Sequence, residues 1–398
     1  MSANPERLAL DVQCNFARQE LPICGVDLTR NASGPSPTGM RYNLLGKTGL
    51  YVSELCLGAM TFGGTKGMWQ AIGQLGQPES LALVSAALDA GVNFIDTADV
   101  YSDGDSERLV GQALKTLNRP REQLVVATKV RGRVGPGINQ VGLSRAHILA
   151  SIEGSLQRLG LDHVDLYQIH GFDPVTPIEE TVRALDDVVR SGKARYVGFS
   201  NLPAWVASHA ITFAEQNNLA RFQSAQVYYS LVGRDVEREI APLCQARGLA
   251  LLPWSPLAGG LLSGKFDPDK KGPSDARRAS FDFPPVNMER LPRVLAALRQ
   301  VAGETGTSAA RVALAWELSK PFVTSIIIGA KKPEQLADNL AATELRLAPE
   351  QVKLLDQASA LPPEYPGWMV DFQNSRDPRG VAAPPTDAQI RAAAERLK

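Results

Sequence analysis

Short apolar runs alternate along the chain with stretches whose apolar residues recur every three or four positions, and this alternation sets the expected architecture. LCLG (55–58), NFIDTA (93–98), LVVATKV (124–130) and VDLYQIH (164–170) read as buried strands. So do ARYVGFS (194–200), FQSAQV (222–227), LALLPWS (249–255) and VTSIIIG (323–329). Between them lie amphipathic segments. PESLALVSAALDAGV begins at Pro78 and ends near Gly91, the asymmetry expected of helix termini. SERLVGQALKTL, RAHILASIEGSLQRLG, IEETVRALDDVVRSG, PAWVASHAITFAEQNN, VEREIAPLCQARG, SAARVALAWELSK and PEQLADNLAAT follow the other strands as helices. Eight strands each followed by a helix call for a parallel sheet covered by helices, and a closed (β/α)8 TIM barrel is the α/β fold that fits. A β-hairpin, RYNLL–GKTG–LYVSELCLG, precedes it. Two regions break the rhythm. Residues 257–306 insert a long loop and a helix near MERLPRVLAALRQVAG, and extra C-terminal helices follow Pro349 before the Pro-rich LPPEYPGW.

The stretch NASGPSPTG (31–39) reads as a linker. Residues 1–40 are therefore expected to be a flexible extension, 41–362 the barrel and 363–398 a tail. Lys+Arg and Asp+Glu both number 42, so the chain has no global field to draw nucleic acid or an anionic membrane. The four cysteines, Cys14, Cys24, Cys56 and Cys244, lack the spacing of a disulfide framework or zinc site, and four histidines are too few for a His-rich metal centre. No metal is expected. With no run of about 20 apolar residues and no signal-peptide core, the expected location is cytoplasmic.

Active sites of (β/α)8 barrels lie at the C-terminal ends of the strands. There the second strand delivers Asp96, with Tyr101 in the following loop; the third delivers Lys129 and the fourth His170. Singly, each has an ordinary explanation: a helix cap, a surface aromatic, a snorkelling lysine, a satisfied loop histidine. Together they form a coherent proton donor. An ammonium beside a phenol favours phenolate and lowers its pKa, a carboxylate neutralises the buried lysine, and an imidazole can orient a carbonyl.

GVNFIDTADVY, ATKV, LYQIH, VGFSN, WSPLAGG and IIIGAKKPEQLADN, in this order and from about Arg41 to about Asp356, resemble the aldo-keto reductase family, in particular its bacterial reductases and potassium-channel β subunits. The resemblance implies hydride transfer from a nicotinamide to a carbonyl carbon, with Tyr101 protonating the oxygen, Lys129 and Asp96 tuning it and His170 orienting the substrate. The small-molecule substrate would be an aldehyde, a ketone or, in reverse, an alcohol.

No G-x-G-x-x-G follows a strand, and GGLLSGKF has Phe266 where a P-loop needs Ser or Thr. The resemblance instead implies NADPH/NADP+ extended across the barrel mouth. Ser200, Asn201 and Gln226 would bind the nicotinamide amide, with Asp96 nearby, and Trp254 would stack on the ring. Ser255, Pro256, Leu257, Ala258 and Gly259 would wrap the pyrophosphate beside Lys265 and Arg278. Gly329, Lys331, Gln335, Asp338 and Asn339 would surround the adenosine, while Gly58, Ala59 and Met60 line the first strand's exit. Lys331 and Lys332 precede a helix starting near Pro333, where a 2′-phosphate would meet a helix N-terminus and ammonium groups. The rival reading is a cofactor-binding regulatory or redox-sensing subunit on the same scaffold. A metal-dependent hydrolase would need several strand-end ligands, and of the histidines only His170 stands at one.

Overall fold

A computed structural model describes residues 39–374 except 65, 268–271 and 275. Of the expected extension 1–40 only the last two residues fall within it, and 375–398 lie outside it. The elements run β1 (Tyr42–Leu44), β2 (Tyr51–Ser53), β3 (Leu55–Gly58), α1 (Gly67–Ile72), α2 (Gln77–Asp89), β4 (Phe94–Asp96), α3 (Asp105–Leu117), β5 (Val125–Val130), α4 (Arg145–Leu159) and β6 (Val164–Ile169). They continue with α5 (Ile178–Arg190), β7 (Ala194–Ser200), α6 (Ala204–Gln216), β8 (Phe222–Tyr228), α7 (Ile240–Arg247) and β9 (Ala250–Trp254). The chain then enters α8 (Arg277–Ser280), α9 (Leu291–Thr305), α10 (Ala309–Leu318), β10 (Ile326–Ile328), α11 (Pro333–Leu340), α12 (Pro349–Ser359) and α13 (Gly367–Asn374).

Strands β3 to β9 pair in parallel in chain order, with β10 beside β3. The ring closes where Leu251 bridges Val323 and the Thr324 amide donates to the Leu251 carbonyl at 2.9 Å. The fold is thus the (β/α)8 barrel that the alternation predicts. The β1–β2 hairpin, with Tyr42 opposite Ser53, plugs the N-terminal end. Its Leu45 and Val52 pack on Cys56, Phe94, Val125, Leu166 and Leu252 in the barrel interior.

The helices form for the expected reasons. On α5, buried Thr181, Val182, Leu185 and Val188 fall on one face, with Glu179 and Glu180 in the first turn and Arg190 in the last. Ser144 caps α4 through the His147 amide, and Gly160 ends it at φ +64°. Where VEREIAPLCQARG predicts one helix, the structure has a short 3-10 turn, Asp235–Glu237, and then α7. Glu239 is non-helical between them. Pro242 explains the break, since its ring would clash with the carbonyl four residues back in a continuous helix. At Gly198 the β7–β8 register shifts, and a Cβ there would lie 2.2 Å from the Ser224 hydroxyl. Among the described residues no helix is long and apolar enough to cross a membrane.

Candidate active site

Successive inward positions on each strand change character toward the C-terminal end. On β4 the pair is Phe94 then Asp96; on β5, Ala127 then Lys129; on β6, Leu166, Gln168 and then His170 in the loop. Side chains two apart share a face, so the strand ends collect polar groups over an apolar floor. Parallel pairing sets neighbours level: Asp96 lies opposite Ala127, and Lys129 opposite Gln168.

The four residues singled out in the sequence meet here. Lys129, fully buried, donates to Asp96 and, at 2.8 Å, to the Thr97 carbonyl. It also donates to the Tyr101 hydroxyl at 3.3 Å, with its ammonium 4.8 Å from that ring's centre. The hydroxyl lies 3.5 Å from Nε2 of His170. Asp96 and Lys129 are buried, whereas Tyr101 and His170 keep part of their surface open at the rim, where a substrate would arrive.

The electrostatics differ from the sequence expectation in one respect. Burial raises the Tyr101 pKa above its ordinary value, and Lys129 pulls it back only partly. Neighbouring charge was weighed in the sequence, but the desolvation of the phenol becomes visible only in the fold. Burial alone would lower Lys129; Asp96 and Tyr101 outweigh it, so the ammonium is held above its usual value. Burial, then Lys129 and Arg131, push His170 well below the usual imidazole value. The site at neutral pH is a neutral imidazole and a neutral phenol beside an ammonium–carboxylate pair.

Of the remaining expected residues, Gln226 donates to Asp96 Oδ2 at 2.9 Å, and Asn201 donates to the Ser200 hydroxyl at 2.8 Å and the His170 carbonyl at 3.2 Å. Trp254 donates to Asn201 Oδ1 at 3.0 Å, and its ring lies between Tyr228 and Phe283. The turn after β9 holds Ser255 and Ala258 at φ +54° and +48°, then Gly259 and Gly260 at +67° and +95°. A Cβ on Gly259 would approach the Phe283 carbonyl to 2.5 Å, so glycine is required there. Pro256 and Leu257 complete that turn, and Lys265 is exposed beyond it. Gly58 leaves no room for a side chain against Ile327, the Ala59 amide donates to the Asp96 carbonyl, and Met60 stands part-buried at the rim.

Other expected residues are already engaged within the protein. Arg278 is buried and donates to the Ala258 carbonyl at 2.6 Å and the Pro284 carbonyl at 2.8 Å, with Asp282 at 2.6 Å, so it fastens the long loop to the turn after β9. Asp338 accepts from Ser308 and Arg311 at 2.7 Å each, tying α11 to α10. Gln335 accepts from the Lys331 amide, and Asn339 donates to the Gly329 carbonyl. Lys331 is part-buried and reaches the Ala71 carbonyl at 3.3 Å, whereas Lys332 is exposed.

Four residues of the site were not anticipated. Gln168 donates to Asp96 Oδ2 at 3.1 Å; its position two before His170 was the available signal. Trp69, from α1, meets the Tyr101 ring edge-on at 5.7 Å. Arg277 on α8 has a buried Nε without a hydrogen-bond partner among the described residues and shares an electrostatic field with Tyr101, Arg278 and Lys331. Arg131 follows β5 beside His170. Among the described residues no three His, Cys, Asp or Glu side chains gather as a metal-ligand set.

Comparison with known proteins gives a matching identity. The model of the Aldo/keto reductase family matches residues 54–360. Versiconal hemiacetal acetate reductase of Aspergillus parasiticus is 36% identical over 82% of this chain and 99% of its own length. A probable voltage-gated potassium channel subunit beta of Oryza sativa subsp. japonica is 40% identical over 80% and 96%. The uncharacterized oxidoreductase YrpG of Bacillus subtilis (strain 168) is 37% identical over 83% and 100%. A barrel of this topology, a polar strand-end cluster of this composition and relatives that align along nearly their whole length lead to one assignment: the chain belongs to the aldo/keto reductase family, oxidoreductases that act on small carbonyl compounds.

Proposed function

We propose that this protein reduces aldehydes or ketones to alcohols with NADPH, with Tyr101 as proton donor, Lys129 and Asp96 as its supports and His170 as the group that orients the carbonyl. The carrying observation is the Tyr101 hydroxyl lying within hydrogen-bonding reach of both Lys129 and His170. A carbonyl oxygen seated between Tyr101 and His170 meets two donors, provided the neutral imidazole carries its proton on Nε2. As negative charge grows on that oxygen, the phenol gives up its proton, and the ammonium of Lys129 stabilises the phenolate left behind. Asp96, held by Lys129, Gln168 and Gln226, keeps the ammonium in place.

The residues at the rim fit a dinucleotide. The Arg277 Nε is buried without a partner, and Lys331 stands part-buried at the N-terminus of α11 with no carboxylate against it among the described residues. Ser200, Asn201 and Gln226 offer amide and hydroxyl partners for a nicotinamide, the turn Ser255–Gly259 with Arg277 would face the diphosphate, and Lys331 would meet a 2′-phosphate. When bound, the cofactor supplies the hydride.

A second reading, a cofactor-binding regulatory subunit, draws support from the potassium-channel relatives. Tyr101, Lys129, His170 and Asp96 in mutual contact favour the reductase. The test is NADPH oxidation with 4-nitrobenzaldehyde, read at 340 nm. Turnover is expected; tight cofactor binding without turnover would transfer the assignment to the regulatory role.

A further inference from the structure

We propose that Arg131 binds an anionic group of the substrate, so that the carbonyl compounds preferred by this site carry a carboxylate or an equivalent anion; this rests on the reductase reading above. Arg131 stands at the C-terminal end of β5, two residues beyond Lys129. Pairing of Val130 with Ile169 sets it level with His170, whose amide donates to the Val130 carbonyl at 2.9 Å. The Arg131 Nε donates to the Phe172 carbonyl at 2.9 Å. The side chain runs along Gly171, where a Cβ would sit 3.4 Å from Arg131 Cδ. The guanidinium root is thereby fixed beside the substrate-orienting imidazole, and its charge is one of the influences that keep that imidazole neutral.

Two features separate Arg131 from a structural arginine. Several other arginines with little exposed surface have carboxylate partners: Arg121 pairs with Asp165, Arg158 with Glu107, Arg234 with Glu237 and Arg278 with Asp282. No carboxylate among the described residues pairs with Arg131, and its two terminal nitrogens have no hydrogen-bond partner there. Its backbone is also held at φ +152°, with its carbonyl accepting from the Gly142 amide at 2.9 Å. A non-glycine residue kept in that region costs free energy, and such residues concentrate at functional sites. A planar guanidinium tethered through Nε retains a two-nitrogen edge that matches a carboxylate. A substrate whose carbonyl sits between Tyr101 and His170 would meet this edge with an acidic group elsewhere on its frame. Arg277, which has no carboxylate partner among the described residues, shares its field with Lys331 and belongs with the cofactor's phosphates.

The test compares 4-carboxybenzaldehyde with its methyl ester, which keeps the frame and removes the charge, using kcat/KM with NADPH; the ester is the intrinsically more reactive aldehyde, so a preference for the acid has to come from the protein. A ratio of about tenfold to a hundredfold in favour of the acid is expected for the unmodified protein, falling to one or below in Arg131→Met. Arg131→Lys should retain an intermediate ratio, and Arg277→Met should raise the NADPH dissociation constant without moving the ratio. Because each variant is its own reference, partial loss of folding does not alter the reading. Should Arg131→Met not fold, benzoate should inhibit ester reduction by the unmodified protein competitively, and benzamide should not. Turnover of both aldehydes with equal kcat/KM, or an acid preference that survives Arg131→Met, overturns this proposal alone. Absence of turnover with either aldehyde overturns the reductase reading and this inference with it.

Discussion

The lower and upper halves of the barrel interior are built on the same eight strands and bury different things. Below, Cys56, Phe94, Val125, Ala127, Leu166 and Leu252 meet Leu45 and Val52 of the hairpin in an apolar plug. Above, Asp96, Lys129, Gln168 and Gln226 are buried as a hydrogen-bonded cluster, and several non-glycine residues on the rim, Arg131, Asn201, Ser255 and Ala258, have positive φ. The plug gains stability by removing hydrocarbon from water and asks little of geometry. The upper layer buries charge, which is tolerated only where partners are supplied. The division assigns folding to one end and chemistry to the other, and it can be tested at four places.

The largest effect is expected at Asp99, which follows β4 at the strands' C-terminal end and shares its field with Glu107 on α3 and Arg158 on α4. It is 2% exposed, and neither carboxylate oxygen makes a hydrogen bond of good geometry among the described residues. Burial, then the charge of Glu107, raise its pKa to about 8 against the opposing pull of Arg158, the Val100 amide and Lys129. The sign follows directly. The folded state holds a proton that the unfolded chain releases near the ordinary carboxylate value, so stability falls as pH rises from about 4 to about 8. Asp99→Asn fixes the neutral form. Its advantage in unfolding free energy should grow across that window by up to about 6 kcal/mol, at about 1.4 kcal/mol per pKa unit. Denaturant melts at pH 5 and pH 9 measure it; an advantage independent of pH would show that Asp99 is not a buried acid.

Leu45→Ala probes the other end. Leu45 is fully buried in the plug, and deleting its branched end should cost about 2–5 kcal/mol. Because the plug has no part in the chemistry, kcat with an aromatic aldehyde should be unchanged well below the melting temperature. A fall in kcat at full folding would break the division between the ends.

How far each half was legible in the sequence follows from what fixes it. Period-two alternation and the rule that barrel sites lie at strand C-termini were enough to locate Asp96, Lys129 and His170, while Tyr101, in the 3-10 turn after β4, was legible as a residue of the loop after Asp96 and through the family resemblance. Gln168 obeyed the same alternation and was overlooked because an amide carries no obvious chemistry until Asp96 is seen to need a donor. Trp69 and Arg277 sit on short helices inserted between strands and Arg131 in a loop, and the paths of such connections depend on contacts such as Arg131 with the Phe172 carbonyl and not on periodicity. Arg278 was legible as a rim arginine, while its engagement by the Ala258 and Pro284 carbonyls was not. The direction of the Tyr101 shift failed for a related reason: burial is a property of the assembled barrel.

Tyr101→Phe reverses the Leu45 experiment. Removing the transferable proton should lower carbonyl reduction by at least about two orders of magnitude, the usual scale for loss of a general acid. The hydroxyl's contacts with Lys129 and His170 are long, at 3.3 and 3.5 Å, so thermal stability should change little. Turnover near that of the unmodified protein would remove Tyr101 from the mechanism; a collapse in stability would show that the upper layer also carries the fold.

The smallest effect is expected farthest from the reacting atoms, at Lys331. Desolvation first, and then Arg277, lower its pKa, which marks an ammonium held near another cation with no carboxylate among the described residues to relieve it. Such a pair is unfavourable in the free protein and favourable around a dianionic phosphate, so the rim should recognise the 2′-phosphate that distinguishes NADPH from NADH. A charge-assisted hydrogen bond is worth roughly 1.5–3 kcal/mol, so Lys331→Met should weaken NADPH about tenfold to a hundredfold and leave NADH nearly unchanged. Lys332 is the internal control: it is exposed at the start of α11, and Lys332→Met should have the smaller effect. Arg277 can share the phosphate and blunt the single variant, which makes Lys331→Met with Arg277→Met the decisive combination; Arg278, engaged by Ala258, Pro284 and Asp282, should contribute less. Titration of each nucleotide by quenching of tryptophan fluorescence reads all of these, because Trp254 and Trp69 both stand at the rim. Equal affinity of the unmodified protein for NADH and NADPH would mean that the unpaired cations at this rim serve the diphosphate alone, and that cofactor choice is not written in Lys331.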